Sequence, residues 1–99
     1  MDRVSSESLN RLYQVILDLR TVEECYDFFE DLCTIKELRD LSQRLEVAFR
    51  LDEGLNYQEV AEKTGVSSAT ICRVKKCLDY GSGGYRLVID RANGAKAQG

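Results

Sequence analysis

Histidine is absent from the sequence, and no apolar run approaches the length of a membrane span. Without histidine, and with no C-x-x-C pair among Cys25, Cys33, Cys72 and Cys77, we expect no zinc site and reduced thiols. The sequence has no nucleophile–base constellation and no phosphate-binding glycine loop, which argues against an enzyme. There is no signal peptide either, so we expect a cytoplasmic protein that does not engage a membrane.

Acidic residues are missing between Lys63 and Leu78, although the whole chain carries a net charge of −3. Residues 1–62 have a charge balance of −8, whereas residues 63–99 have a balance of +5. This asymmetry predicts an acidic scaffold joined to a part that meets a polyanion.

No segment alternates with a period of two residues, and apolar residues recur instead at helical spacing, which predicts an all-α fold of about six helices. The first helix covers roughly residues 6–20. Capping boxes predict the starts of the next three helices: Thr21 with Glu24, Thr34 with Glu37, and Asn56 with Glu59.

Glycines predict where several of these helices end. Gly54 ends the third helix, and Gly65 ends the fourth after Thr64. Ser67 or Ser68 caps a fifth helix that continues to about Tyr80. The sequence GSGG at 81–84 is a flexible break between helices. A last helix follows from Tyr85 to Ala92, and Gly94 stops it. We therefore predict one domain with a helical dimerisation scaffold (1–53), a helix-turn-helix (56–80), a C-terminal helix (82–94) and a frayed tail (95–99).

Residues 57–78, YQEVAEKTGVSSATICRVKKCL, have the pattern of a DNA-binding helix-turn-helix. Ala61 is the small residue over which a second helix can cross, and Gly65 can reverse the chain. The apolar residues that would lock the crossing are Val60, Val66, Ile71 and Val74. An ordinary helical hairpin is the alternative, but the basic outer face of the second helix in an acidic protein favours DNA binding.

Each part of this motif has a predicted role. First-turn residues would face base edges and basic residues would grip phosphates, with solvated surface as the alternative for the latter. Cys72 either approaches the groove or packs internally. Residues at the start of the fourth helix would position the DNA backbone. The predicted DNA-binding residues are Asn56, Tyr57, Gln58, Ser67, Ser68, Ala69, Thr70, Cys72, Arg73, Lys75 and Lys76.

From Phe28 to Gly81 the sequence resembles the Trp repressor superfamily, and most closely its YerC/YecD-type branch. The matching segments are DLCT, LSQRLEVA, G-x-S-x-A-T-I-x-R and CL-x-YG. The resemblance implies an intertwined all-α homodimer that regulates transcription by binding double-stranded DNA sequence-specifically. Two-fold symmetry would present the two reading helices about 34 Å apart to a palindromic site, and we expect a repressor.

The resemblance also implies where an effector would bind. In tryptophan-binding members two arginines sandwich an indole, and Arg44 and Arg73 match them, with Thr34 matching a nearby pocket residue. Val74 stands where those members have glycine, and Cys77 replaces a serine that meets the ligand's amino group. We therefore expect tryptophan not to bind, and either an unknown small effector or none.

Two further hypotheses concern the cysteines of the fifth helix and the function of the whole protein. Cys72 and Cys77 suggest a redox switch, but they point to different sides of the helix, and we expect them to be buried small hydrophobes. The alternative function for the whole protein is a helical dimer whose basic face binds an acidic protein partner rather than DNA.

Overall fold

A computed structural model describes the chain from residue 6 to residue 98, and the side chains from 6 to 94. All the regular structure in that range is helical, which confirms the all-α prediction. The six helices are α1 (Glu7–Asp18), α2 (Val22–Leu32), α3 (Ile35–Asp52), α4 (Tyr57–Thr64), α5 (Ser68–Tyr80) and α6 (Gly84–Gln98). None of these helices is both long enough and apolar enough to cross a membrane.

The chain divides into two compact units, one up to Leu38 and one from Arg39 onward. The first unit contains α1, α2 and the start of α3, and neither α1 nor α2 has a buried residue. Large apolar side chains in this unit are instead more than half exposed: Tyr13, Leu17, Val22, Tyr26, Leu32 and Ile35. The apolar faces of these helices therefore lack a covering surface within their own unit.

The second unit has a hydrophobic core to which four helices contribute. Its fully buried members are Val47 and Ala48 of α3, Val60 of α4, Ile71 and Val74 of α5, and Ile89 of α6. α5 packs against both α4 and α6, so it is the central helix of this unit. Burial of its apolar stripe, worth about 1.5–3 kcal/mol for each large aliphatic side chain, fixes which face of α5 points outward.

Two of the three predicted capping boxes are complete. Thr34 and Glu37 exchange hydrogen bonds of 2.8 and 3.1 Å at the start of α3, and Asn56 and Glu59 do so at the start of α4. For the third box, at the start of α2, one of the two predicted hydrogen bonds is wrong. Thr21 accepts from the Glu24 amide, but the Glu24 carboxylate accepts from the Arg20 amide at 2.8 Å rather than from Thr21.

The predicted end of the last helix is wrong. α6 continues through Gly94 to Gln98, whereas the sequence predicted a stop at Gly94 and a frayed tail beyond it. Gly94 is not one of the glycines with positive φ, so it continues the helix rather than capping it. By contrast, Gly54 and Gly65 have φ values of 93° and 73°, the left-handed conformation expected at helix ends. Residue 99, the end of the predicted tail, lies outside the described residues.

Candidate nucleic-acid interface

The second unit contains the predicted helix-turn-helix as two packed helices joined by a tight turn. α4 ends at Thr64, and the left-handed Gly65 donates its amide to the Ala61 carbonyl at 2.8 Å. The crossing is held by the buried side chains of Val60, Ile71 and Val74, with Ala61 and Val66 packed against them. The small residue, the turn glycine and the apolar lock therefore occupy the places that the sequence pattern assigned to them.

The first turn of α5 presents small polar side chains. Ser67 is the N-cap, and its hydroxyl accepts from the Thr70 amide at 3.3 Å and lies 3.1 Å from the Thr70 hydroxyl. Ser68 and Ala69 are exposed, whereas Thr70 is half-buried. Because Ser67 and Thr70 already contact each other, Ser68 and Ala69 are the first-turn side chains with the most open surroundings.

Further along α5, the outward face carries Cys72, Arg73 and Lys76, which are all exposed. A helix turns by about 100° per residue, so Ala69, Arg73 and Lys76 lie on the side opposite the buried Ile71 and Val74. Within the part of the chain that the structure describes, no carboxylate pairs with Arg73 or Lys76. The outward face of α5 thus has small side chains in its first turn, Ser68 and Ala69, followed by two unpaired cations, Arg73 and Lys76.

Lys75 differs from its basic neighbours. It lies on the flank of α5 and is half-buried, and its Nζ is 3.4 Å from Asp79 Oδ1. The sequence predicts a phosphate contact at Lys75, and the structure adds this ion pair to it. The spacing of four residues between a lysine and an aspartate on one helix is the signal that could have revealed it.

The start of α4 contains the residues predicted to position the DNA backbone. The Asn56 side chain and its own amide are both used by the capping box with Glu59. Tyr57 and Gln58 are exposed, and Gln58 donates to Glu62 at 3.5 Å. The amides of Tyr57 and Gln58 belong to the first turn, where helix geometry provides no internal acceptor, so they can meet a phosphate.

The residues matched to a tryptophan pocket have mixed surroundings. The Thr34 hydroxyl accepts from the Glu37 amide, and Val74 is buried in the core of the second unit. Arg44 is half-buried, whereas Arg73 and Cys77 are exposed. Val74 therefore contributes its branched side chain to the core, next to Ile71, and Cys77 offers only a thiol where the tryptophan-binding members have a hydroxyl.

The cysteines of α5 are not buried, so that expectation is wrong for the single chain. Cys72 and Cys77 are both exposed free thiols, because Ile71, Val74 and Leu78 occupy the inward face of the helix. Cys25 and Cys33 of the first unit are half-buried and also free. Among residues 6–98, no group of three cysteine, aspartate or glutamate side chains could hold a metal ion.

Known proteins resemble this chain over almost its full length. Residues 7–93 match the protein family described as Trp repressor protein. The uncharacterized protein YerC of Bacillus subtilis is 50% identical over 91 residues, which cover 92% of this chain and 88% of YerC.

Two solved structures share the fold. A TrpR-like protein from Eubacterium eligens aligns with a TM-score of 0.86 at 50% identity, covering 89% of this chain and 91% of the other. A candidate Trp repressor from Staphylococcus aureus aligns with a TM-score of 0.87 at 44% identity, covering 90% and 89%.

Proposed function

Because the chain belongs to the Trp repressor protein family, in its YerC-type branch, we propose that it is a sequence-specific DNA-binding regulator of transcription. It acts as a homodimer and reads a palindromic site with one helix-turn-helix from each subunit. Repression is the expected outcome of such binding, because a dimer seated on a promoter excludes other proteins from it. This function requires the protein to be in the compartment that holds the chromosome, the cytoplasm of a bacterium.

One observation carries the proposal. The outward face of α5 combines small side chains near its N-terminus with the unpaired cations Arg73 and Lys76, on a helix whose opposite face is locked into the core. A reading helix must be held rigidly, must be narrow where it enters the major groove, and must be basic where it passes the phosphates. α5 meets all three requirements.

The roles divide along the helix. Ser68 can exchange hydrogen bonds with base edges, and the Ala69 methyl can contact a thymine methyl. Arg73 and Lys76 contact phosphates, and the first-turn backbone amides of Tyr57 and Gln58 donate hydrogen bonds to a further phosphate at the start of α4. Because none of the first-turn side chains is a bidentate reader, specificity also depends on water-mediated contacts and DNA shape.

The exposed apolar surface of the first unit supports the dimer. Leu17, Tyr26 and Ile35 are 82%, 65% and 74% exposed in the single chain. A monomer would leave these side chains in water, and a second copy of the same helices offers a surface of matching character. Intertwining of two chains would bury them and bring two recognition helices to one side of a duplex.

The residues matched to a tryptophan pocket make a prediction about the effector. Val74 and Cys77 differ from the residues of the tryptophan-binding members, so we expect about 1 mM tryptophan to leave the melting temperature unchanged. A ligand that binds only the folded state raises the melting temperature, and the rise grows with the logarithm of the ratio of ligand concentration to Kd. A rise in the melting temperature would instead support the tryptophan pocket that the family resemblance implies.

The proposal is tested with a labelled random duplex of ~30 bp, about three helical turns. If Arg73 and Lys76 of both subunits each neutralise one phosphate, log Kd rises with log salt with a slope of about 3.6. Affinity then falls roughly a hundredfold between about 50 and 200 mM salt. The absence of duplex binding at low salt would contradict DNA binding and would favour the alternative, an acidic protein partner.

A further inference from the structure

Helix α5 carries one acidic residue within residues 63–99, the basic part of the chain, and in the structure this residue forms an ion pair. Asp79 is the sole acid between Glu62 and Asp90 in the sequence. Its carboxylate lies 3.4 Å from Lys75 Nζ, and both side chains are a little less than half exposed. On these grounds, and resting on the proposed function, we infer that Asp79 cancels Lys75 and so limits the affinity of the protein for any DNA duplex.

Helix geometry supports this division of the basic residues. Lys76 points away from the core, whereas Lys75 lies about 70° from the centre of the buried stripe. Its stem therefore runs along the flank of α5 towards Asp79, four residues later, which is the spacing at which opposite charges on one helix meet. Arg73 and Lys76 have no such partner within the described residues.

The effect of the pair on DNA binding depends on its charge balance, not on its strength. An exposed ion pair of this kind is weak, so a phosphate could draw Lys75 away from Asp79. Asp79 would then be left unpaired beside a polyanion. Whichever way Lys75 turns, the two residues together present no net charge to the duplex and release no net counterion.

A lower affinity for any duplex has a functional consequence. Non-specific binding is essentially electrostatic, and a chromosome offers a very large number of competing non-specific sites. By cancelling one cation in each subunit, Asp79 reduces the fraction of protein held at such sites. The contacts of Ser68 and Ala69 with bases then decide where the protein is bound.

The test measures log Kd against log salt with the same ~30-bp random duplex for the intact chain and four variants. Asp79→Asn uncovers Lys75 in both subunits and should steepen the slope by roughly 1.8, twice the ~0.9 expected for one phosphate contact. Lys76→Ala should flatten it by the same amount. The double variant Lys75→Ala/Asp79→Asn removes a neutral pair and should bind like the intact chain.

Glu62→Gln is the matched control. It also removes one negative charge, but the Glu62 carboxylate accepts from the side-chain Nε2 of Gln58 and contacts no cation among the described residues. Its slope should therefore stay near that of the intact chain. The inference is overturned if Asp79→Asn leaves the slope unchanged, or if the double variant flattens it as far as Lys76→Ala does. The first result would mean that Asp79 does not limit DNA binding, and the second that Lys75 contacts a phosphate in spite of Asp79. Failure of the intact chain to bind any duplex would instead remove the proposed function itself.

Discussion

The guanidinium of Arg86 donates to the Asp52 carboxylate across a distance of 2.6 Å, which joins α6 to the C-terminal end of α3. Asn93, two turns further along α6, donates to the other oxygen of the same carboxylate at 3.3 Å. The pKa of Arg86 is raised, chiefly by its hydrogen bond to Asp52. α6 is thus held at two points on its polar face in addition to the burial of Ile89.

We expect Asp52→Ala to lower the melting temperature more than Asp90→Ala does. Asp52 meets both Arg86 and Asn93 and is partly shielded, whereas Asp90 meets Arg86 alone, at 3.5 Å within one helix. Thermal unfolding monitored by circular dichroism measures the difference. Equal effects of the two substitutions would show that the bridge between α3 and α6 does not hold α6 in place.

We expect Gly94→Ala to stabilise the protein by about 0.5–1 kcal/mol, because glycine is a poor residue inside a helix. Gly94 is helical, its φ is not positive, and an added Cβ would meet no atom within 4 Å beyond its chain neighbours and the backbone of its own helix. Gly65→Ala is the matched contrast: the space is equally open, but φ is 73°, so alanine there should cost about 1 kcal/mol. Denaturant unfolding gives the free energy of unfolding of each variant. A loss of stability in Gly94→Ala would contradict the placement of Gly94 inside helix α6.

The Thr34–Glu37 capping box should make the stability of the fold depend on pH in the acidic range. Hydrogen bonds from Thr34, above all from its backbone amide, hold the pKa of Glu37 below its ordinary value of 4.5. A lowered folded-state pKa stabilises the fold above pH 4.5, and this contribution is lost as the pH falls through the folded-state pKa.

The measurement compares melting temperatures of the intact chain and Glu37→Gln from pH 7 downward. We expect a gap in favour of the intact chain at neutral pH that closes below about pH 4.5. Glu30→Gln, an exposed site on α2, controls for the loss of one negative charge. A gap that stays constant across this range would mean that the carboxylate charge of Glu37 contributes nothing to the cap.

The first unit should be stable only as part of a dimer. Sedimentation equilibrium at micromolar concentration should give about 22 kDa, twice the chain mass of 11.2 kDa. The melting temperature should also rise with protein concentration, because association stabilises the folded state. A mass of one chain, with a melting temperature independent of concentration, would leave the exposed Leu17, Tyr26 and Ile35 without an explanation.

Features that depend on a few neighbouring residues were predictable from the sequence. The Thr34–Glu37 and Asn56–Glu59 boxes and the left-handed Gly54 and Gly65 follow from local chemistry, and all are present. The buried lock of the helix-turn-helix was also predictable, because its apolar residues have to occupy one side of each helix.

Features for which the sequence allows two local outcomes could not be predicted in the same way. The Glu24 carboxylate could reach two amides and takes that of Arg20. Gly94 could cap or continue a helix, and with a φ that is not positive it continues α6. Cys72 and Cys77 are exposed because other residues already fill the inward face of α5. For the Lys75–Asp79 pair the spacing was available in the sequence, but the half-buried flank position of Lys75 needed the structure.

The central claim, that α5 reads DNA sequence as one of two symmetry-related helices, is tested most directly by selecting bound duplexes from a random pool. Repeated rounds with the purified 99-residue chain should enrich a two-fold-symmetric motif with half-sites about one helical turn apart. Ser68→Ala should change which bases are preferred in each half-site, whereas Lys76→Ala should weaken binding to all sequences alike. A pool that stays random after selection, with the protein folded and dimeric, would contradict the claim.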